Sequence, residues 1–329
     1  MKRLPRLVLL GTGGTIASTA SDATTLSDYS VTENVDALLA GIPGIEQVAR
    51  LGYQQVFNVD SREITNGMLV RLATQVQDLL DDPKVDGVVI THGTDTLEES
   101  AYFLNLVLKS RKPVVFVGSM RPGSAISADG ALNLYNAILL AASREARGLG
   151  VLVMLNDRFF AARFVTKMNT TRVEAFDAPD QGSLGAICQG RVHLFQAPAC
   201  VHTEKTDFSL DDLGVLPSVD IVYDHQSAGM HHYLASIKAG VGGIVVAACG
   251  NGSLSPNAEE GLSRAVGKGI VCVRSSRVPT GIVTRSQHDE PHGLIASNSL
   301  NPQKARILLM LALTQTTDRT RIQDYFDRY

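Results

Sequence analysis

Two threonine-bearing turns in the sequence each follow a short apolar segment. Thr15 follows the first such segment across a glycine-rich turn, and Thr94 and Asp95 follow the third. A threonine hydroxyl is a weak nucleophile until a neighbouring group accepts its proton or excludes its solvent. Lys167 paired with Asp95 could supply that activation. These residue types therefore predict a site in which a threonine attacks a polar substrate.

Alternating apolar runs and helical patterns place these turns at one edge of a predicted sheet. Short apolar runs bounded by turn residues are typical of buried parallel strands, and ligands bind at the carboxyl ends of such strands. Strands are predicted at 7–10, 54–60, 85–91, 113–117 and 150–155, and helices at 65–80, 98–108 and 127–144. This alternation predicts an α/β fold with a doubly wound parallel sheet and helices on both faces.

The glycine-rich turn before Thr15 has a second interpretation, as a dinucleotide-binding loop. That fingerprint is G-x-G-x-x-G, and Ile16 stands where its third glycine would be. Residues 18–30 are small and polar, which predicts a flap that is mobile until a ligand binds rather than a helix. A catalytic hydroxyl under a flap is therefore favoured, although a threonine after a strand is often only a turn former.

The length of 329 residues predicts two domains. We predict a larger N-terminal catalytic domain at 1–196, a linker at 197–217 and a smaller C-terminal α/β domain at 218–329. Residues 164–192 interrupt the strand–helix alternation and predict a hairpin or an edge strand that carries Lys167. The C-terminal domain is predicted to resume the alternation and to end in two helices.

Composition restricts the class of protein. A net charge of −3, with 44% hydrophobic and 19% charged residues, is typical of a soluble globular chain without a basic surface for nucleic acid. No apolar run approaches the ~18 residues that a membrane span requires. No export signal is recognised, so a cytoplasmic location is expected, or a periplasmic one if a signal has been removed. The four cysteines lack metal-ligand spacing, and no metal or cofactor is predicted.

Several motifs along the chain resemble the bacterial L-asparaginase and glutaminase-asparaginase family. They are TGGTIA at 12–17, THGTDT at 91–96, VTK at 165–167, SSRVPTG at 275–281 and LNPQKAR at 300–306. The resemblance covers essentially the whole chain. It implies an amidohydrolase that converts L-asparagine to L-aspartate and ammonia and also acts on L-glutamine, without a cofactor.

The resemblance also implies roles for individual residues. Thr15 matches the nucleophile that forms an acyl-enzyme, and Tyr29 at the end of the flap matches a tyrosine that orients it. Thr94, Asp95 and Lys167 match a second catalytic triad. The substrate-binding residues implied by the family are Gly14, Ser61, Arg62, Thr94, Asp95, Ser119, Ser253 and Glu290.

The family resemblance predicts a homotetramer, a dimer of dimers in which the partner subunit completes each site. Glu290 is the expected partner acid and Asp289 the alternative. Arg62 departs from the Gln or Glu of relatives, and Ser253 replaces an asparagine found in asparagine-selective members. Two other functions stay open: the amidase subunit of a tRNA-dependent amidotransferase, and a non-catalytic amino-acid sensor.

Overall fold

The computed structural model describes residues 3–20, 22–24, 30–32, 38–39, 41–287 and 289–329. The chain divides into two compact units, Met1–Leu210 and Asp211–Tyr329. The elements of the first unit are β1 (Arg6–Gly13), β2 (Ser18–Thr19), β3 (Ser30–Val31), β4 (Arg50–Val59), α1 (Asn66–Asp81), β5 (Gly87–Thr91), α2 (Leu97–Val107), β6 (Val114–Val117), α3 (Gly130–Ala142), β7 (Val151–Leu155), β8 (Arg158–Ala161), β9 (Thr166–Lys167), β10 (Phe176–Asp177), β11 (Gly185–Cys188) and β12 (Arg191–Leu194).

The main sheet of the first unit is parallel over five strands and antiparallel at one edge. Its order is β12-β11-β8-β7-β6-β5-β1-β4, and the strands from β7 to β4 are parallel. The α/β class is confirmed. The sequence patterns missed β8, because Asn156 and Asp157, with φ of 49° and 61°, reverse the chain and pair β8 antiparallel with β7. β11 and β12 then continue the antiparallel edge.

Four of the five parallel strands, β1, β5, β6 and β7, are buried on both faces, whereas the edge strand β4 is largely exposed. Leu7 and Leu9 of β1 pack in one apolar cluster with residues of α3, whereas Val8 and Leu10, which point to the other face, are also buried. Because neither face of these four strands meets solvent, they are near-continuous apolar runs. The packed core thereby fixes the positions of the strand ends and of the polar turns that follow them.

The predicted helices differ from the observed ones mainly at their ends. The helix predicted at 65–80 is α1, whose N-terminus is capped by Thr65 Oγ1, an acceptor for the Met68 N–H at 3.2 Å. The helix predicted at 127–144 is shorter: α3 begins at Gly130, since Ser127 has a left-handed φ of 59°. A left-handed residue cannot continue an α-helix.

Two short ribbons lie outside the main sheet. β9 and β10 pair antiparallel with each other, so Lys167 lies on a hairpin as predicted. At the predicted flap, β2 pairs antiparallel with β3, Ser18 opposite Val31 and Thr19 opposite Ser30. Residues 21 and 25–29 of the flap lie outside the described residues.

The second unit holds its own parallel sheet. Its elements are β13 (Val219–Tyr223), α4 (His231–Ala239), β14 (Gly243–Ala248), α5 (Pro256–Gly267), β15 (Val271–Ser276), α6 (Asp289–His292), β16 (Leu294–Ala296), α7 (Pro302–Ala312) and α8 (Arg319–Arg328). The four strands are parallel in the order β13-β14-β15-β16. The two closing helices are observed as predicted. In the described part of the chain, no helix is long and apolar enough to cross a membrane.

Candidate functional site

The turn after β1 depends on two glycines. Gly13 and Gly14 have φ of 99° and 84°, which other residues rarely adopt. A Cβ at Gly13 would collide with the backbone of Val59 at the end of β4, and one at Gly14 with the backbone of Gly93 after β5. The turns at the ends of three neighbouring strands are therefore in close contact.

Thr15 begins a single 3₁₀ turn, Thr15–Ala17, directly after those glycines. The turn is closed by the Ala17 N–H, which donates to the Gly14 carbonyl at 2.9 Å, and by Ser18 Oγ, which donates to the same oxygen at 2.9 Å. Thr15 is 5% exposed. Its hydroxyl is thus held on a rigid, largely desolvated turn at the carboxyl edge of the sheet.

Lys167 joins the second turn to the hairpin. Its Nζ donates to Thr94 Oγ1 at 3.0 Å and to Asp95 Oδ1 at 2.6 Å. Thr94 is buried, the Lys167 side chain is 17% exposed and the Asp95 side chain is 61% exposed. Lys167 is far from Thr94 and Asp95 in the sequence, yet the three form one hydrogen-bonded group, in which the Asp95 carboxylate is exposed to solvent.

Ser61 lies in the turn that follows β4 and is 2% exposed. Thr96 Oγ1 donates to the Ser61 carbonyl at 2.8 Å, and the Thr96 N–H lies 3.4 Å from Ser61 Oγ. A Cβ at Gly93 would lie only 2.8 Å from the Ser61 Oγ. Ser61 is therefore packed against the turn that carries Thr94.

Arg62 follows Ser61 but its charge is engaged locally. Its Nε lies 3.3 Å from Asp60 Oδ2, and the side chain is 74% exposed. Asp60 Oδ1 also accepts from the Arg62 N–H at 3.3 Å. This neighbouring carboxylate partly offsets a cation beside a site expected to bind an ammonium group.

Ser119 follows β6 and is fully buried. Its Oγ donates to the Arg121 carbonyl at 2.8 Å. The turn is fixed by Asp129, whose carboxylate accepts from the Met120 and Arg121 N–H groups at 3.0 Å each. The Ser119 hydroxyl thus stabilises its own turn in this conformation.

His92 has the contacts of a structural residue. It is fully buried, with Nδ1 2.7 Å from the Gly93 carbonyl and Nε2 2.9 Å from Ser100 Oγ. A carbonyl only accepts, so Nδ1 carries the proton and Nε2 accepts from the serine hydroxyl. Burial lowers the pKa of His92 from 6.5 to about 4, against a smaller opposing effect of the Gly93 carbonyl. The ring is therefore neutral and holds the turn before Thr94.

We expect His92 to make stability depend on pH. Its pKa is lower in the folded than in the unfolded chain, so the stabilisation is complete above about 6.5 and is lost as pH falls towards about 4. The shift corresponds to on the order of 3 kcal/mol. Melting temperatures between pH 7.5 and 4.5 should fall more steeply for the wild type than for His92→Gln. Equal slopes would contradict this assignment, and His193→Gln at an exposed position should leave the slope unchanged.

Ser253 lies in an exposed turn of the second unit, after β14. Its N–H donates to the Cys249 carbonyl at 2.7 Å, and the Cys249 N–H donates back at 3.0 Å. Arg274 supports this turn from beneath, since its Nη1 donates to the carbonyls of Asn251 and Gly252 at 3.2 and 3.1 Å. These hydrogen bonds fix the backbone of the turn, and the Ser253 side chain is exposed on it.

The two candidate partner acids have different environments. Asp289 is buried and accepts from Arg274 Nε at 2.7 Å and Nη2 at 2.6 Å, a bidentate pair. Glu290, the next residue, is exposed. Ser253 and Asp289 line one cleft of about 750 Å³. Of the two acids, Glu290 is the one whose carboxylate faces solvent.

Tyr29, the predicted orienting residue, lies outside the described residues, as does His288. Sequence reasoning also missed two buried charged residues beside the predicted ones, Glu98 and Arg274, the latter paired with Asp289. Glu98 follows Asp95 closely in the sequence, but its burial depends on tertiary packing. Among the described residues, no group of three or more His, Cys, Asp or Glu side chains could hold a metal ion.

Comparison with known proteins gives matches over both units. The family model described as "Asparaginase, N-terminal" matches residues 6–200, and "Glutaminase/Asparaginase C-terminal domain" matches residues 218–326. L-asparaginase 2 of Bacillus subtilis is 49% identical over 329 residues, covering 100% of this chain and 88% of that protein. Glutaminase-asparaginase of Pseudomonas fluorescens is 43% identical and covers 99% of this chain and 91% of that protein. The crystal structure titled "Probable Cytoplasmic L-asparaginase" from Campylobacter jejuni has a TM-score of 0.97 at 44% identity, covering 99% and 100% of the two chains.

Proposed function

The chain belongs to the asparaginase family, and from this premise we propose that it hydrolyses L-asparagine to L-aspartate and ammonia, with L-glutamine as a second substrate. The observation that carries the proposal is the contact of Lys167 Nζ with both Thr94 Oγ1 and Asp95 Oδ1. Thr94 and Asp95 follow Gly93 in the turn that packs against Gly14, the residue before Thr15. Similarity to a structure titled as a probable cytoplasmic L-asparaginase supports a cytoplasmic location.

In the first half of the reaction, Thr15 Oγ attacks the side-chain amide carbon. Its proton passes to the amide nitrogen, the C–N bond breaks, and ammonia leaves an aspartyl ester on Thr15. Backbone N–H groups of the glycine-rich turns stabilise the negative oxygen that forms in between. In the second half, water attacks the ester carbon, its proton returns to Thr15 Oγ, and aspartate leaves.

The second triad handles the protons of both steps. Thr94 Oγ1 accepts a hydrogen bond from the Lys167 ammonium, so the hydroxyl's own proton is free to be donated elsewhere. As Thr15 attacks, Thr94 Oγ1 accepts the Thr15 proton and donates its own to the leaving nitrogen, so the Thr94 hydroxyl is unchanged at the end of the step. In the second half, the same hydroxyl accepts a proton from the attacking water and donates its own to Thr15 Oγ.

Substrate recognition requires groups of both signs. The α-ammonium group is bound by the Asp95 carboxylate. This carboxylate is exposed to solvent and accepts one short hydrogen bond, from Lys167 Nζ, so its oxygens can accept further hydrogen bonds from the substrate. The α-carboxylate is bound by Ser61 and the backbone N–H groups around it. Gly14, Arg62 and Ser119 lie in the turns that follow β1, β4 and β6. Tyr29 is assigned the role of orienting Thr15 on the basis of the family resemblance alone.

Steady release of ammonia by the purified protein tests this proposal most simply. The enzyme is expected to release ammonia from asparagine and, at a rate of the same order, from glutamine. An amino-acid sensor would bind both amides without releasing ammonia. An amidotransferase subunit would form ammonia only together with its partner proteins. Either result would refute the proposal.

We further propose a homotetramer, a dimer of dimers, in which Ser253 and Glu290 of one subunit complete the site of its partner. Support comes from their exposure and from the buried Arg274, which ties the Ser253 turn to the segment that bears Glu290. An exposed carboxylate would add a second acceptor for the substrate ammonium, which offsets the presence of Arg62.

Shared sites can be tested by mixing two inactive variants. Thr15→Ala and Glu290→Ala subunits should each be nearly inactive alone. Co-expressed, they should regain roughly one quarter of wild-type activity, because random pairing across a two-fold interface leaves that fraction of sites intact. Glu260→Ala, at an exposed acid on α5, should be active without mixing. No recovery in verified mixed oligomers would contradict shared sites.

Ser253 is expected to influence the choice between the two amides. Glutamine is longer by one methylene, a difference worth only about 1–3 kcal/mol even in a tight pocket. A larger asparagine side chain at this position would hold the α-amino end at a fixed distance from Thr15. Ser253→Asn should therefore lower kcat/KM for glutamine more than for asparagine.

The measurement is the ratio of the two kcat/KM values in the wild type and the variant. Ser218→Asn, at another exposed serine of the second unit, should leave the ratio unchanged. An unchanged ratio in Ser253→Asn would place selectivity elsewhere, with the surroundings of Arg62 as the next candidate.

A further inference from the structure

Glu98 is a buried carboxylate next to the site for which the reaction steps above have no use. It lies in the first turn of α2 and is 4% exposed. Its Oε1 accepts from Thr166 Oγ1 at 2.9 Å, and the Lys167 N–H lies 3.5 Å from the same oxygen. Glu98 is thus bonded to the residue that precedes Lys167 and close to the Lys167 backbone.

The hairpin that carries Lys167 has little regular structure of its own. β9 and β10 have two residues each and, within the described ranges, form a two-stranded sheet separate from the eight-stranded one. So short a ribbon is not stable by itself and needs attachment to a larger element. Lysine also has a flexible side chain, so the position of its backbone decides where Nζ can reach.

Helix α2 is the element to which the acceptors of Lys167 are fixed. It begins at Leu97, directly after the turn that contains Thr94 and Asp95. The bond between Glu98 and Thr166 therefore closes a ring: Thr94 and Asp95 lead into α2, α2 carries Glu98, and Glu98 holds the strand whose Lys167 returns to Thr94 and Asp95. We propose that Glu98 is a positioning residue that sets the distance between Lys167 Nζ and the Thr94 hydroxyl.

The chemistry of the group fits this role. A buried carboxylate loses much of its hydration, which is unfavourable unless hydrogen bonds replace it. The Thr166 hydroxyl supplies a charge-assisted bond, and the first turn of a helix favours a negative charge. The inference rests on the proposed function, because it assigns Glu98 a part in holding that catalytic group.

The test compares valine substitutions at two buried threonines, each of which donates a hydrogen bond to one end of α2. Thr166→Val removes the donor to Glu98, and Thr206→Val removes a buried hydroxyl that donates to the Leu106 carbonyl near the other end of the helix. We expect Thr166→Val to lower kcat for asparagine about 10- to 100-fold, the effect of a small misplacement of a catalytic group. KM should change little, since Asp95 and Ser61 remain.

Three further variants distinguish positioning from a general loss of stability. Thr166→Ser should restore most of kcat. Glu98→Leu, which removes the acceptor at similar size, should lower kcat, and combining it with Thr166→Val should add little, because both changes break the same bond. Thr206→Val should lower the melting temperature but leave kcat unchanged. The two valine variants are compared at a temperature at which the same fraction of each is folded. Equal kcat values for Thr166→Val and Thr206→Val under that condition would overturn the inference.

A crystal structure of Thr166→Val separates this inference from the proposed function, since it requires no activity. The inference predicts that Lys167 Nζ moves out of hydrogen-bond distance of Thr94 Oγ1. If that distance stays near 3.0 Å, Glu98 does not position Lys167, whatever the enzyme hydrolyses. If Lys167 moves but the wild type releases no ammonia from either amide, the positioning role stands and the proposed reaction fails.

Discussion

Replacing Thr15 by alanine is expected to lower kcat for asparagine by about 10⁴-fold or more. Thr15 Oγ is the atom that forms the covalent bond in the proposed reaction, and an alanine at this position offers no nucleophile in its place. The backbone should be unaffected, because the surrounding turn is fixed by Gly13, Gly14 and main-chain hydrogen bonds. The measurement is ammonia release at saturating asparagine, with circular dichroism as the check on folding.

Thr15→Ser provides the matched control, since it keeps the hydroxyl and removes only a methyl group. We expect this variant to retain measurable turnover well above that of Thr15→Ala. A normally folded alanine variant that keeps more than a modest fraction of wild-type activity would exclude Thr15 as the nucleophile.

Replacing Thr94 by valine is expected to have the second largest effect, a loss of about 10²- to 10⁴-fold in kcat. Valine has nearly the same shape, but the hydroxyl that accepts from Lys167 Nζ and passes its proton on is gone. Asp95 stays in place to bind the substrate ammonium, so KM should change less than kcat. Steady-state kinetics with asparagine measure both values.

Thr91→Val is the control for Thr94→Val. Thr91 is 1% exposed on the preceding strand, and its Oγ1 makes one long contact, 3.5 Å, to the Leu10 carbonyl. Thr91→Val therefore measures how much activity is lost when any buried threonine beside the site is replaced by valine. If the two variants lose activity equally, the Thr94 hydroxyl has no special part in proton transfer.

The parts of the fold that have a strong local signal could be predicted from the sequence. The continuous apolar runs before Thr15 and Thr94 are buried on both sheet faces, so β1 and β5 are recognisable without a structure. The reversal after β7 has no such signal, since it depends on left-handed conformations at Asn156 and Asp157, residues that are also common in ordinary turns. The antiparallel edge of the sheet was missed for this reason.

Candidate site residues could be predicted where a motif marks them, but not the residues that support them. Burial of Glu98 and the bidentate pair of Arg274 with Asp289 follow from the approach of segments distant in sequence. The sequence favours Glu290 over Asp289 as the partner acid, but it shows no contact that separates the two. Only the arrangement of Arg274 separates a buried, paired Asp289 from an exposed Glu290.

An acyl-enzyme on Thr15 is the central claim, and partitioning between water and hydroxylamine tests it most directly. Asparagine and the β-methyl ester of aspartate would lose different leaving groups but form the same aspartyl ester. With hydroxylamine present, we expect the same ratio of aspartyl hydroxamate to aspartate from both substrates, and neither product from Thr15→Ala. A ratio that differs between the two substrates would mean that they share no intermediate, and would contradict nucleophilic attack by Thr15.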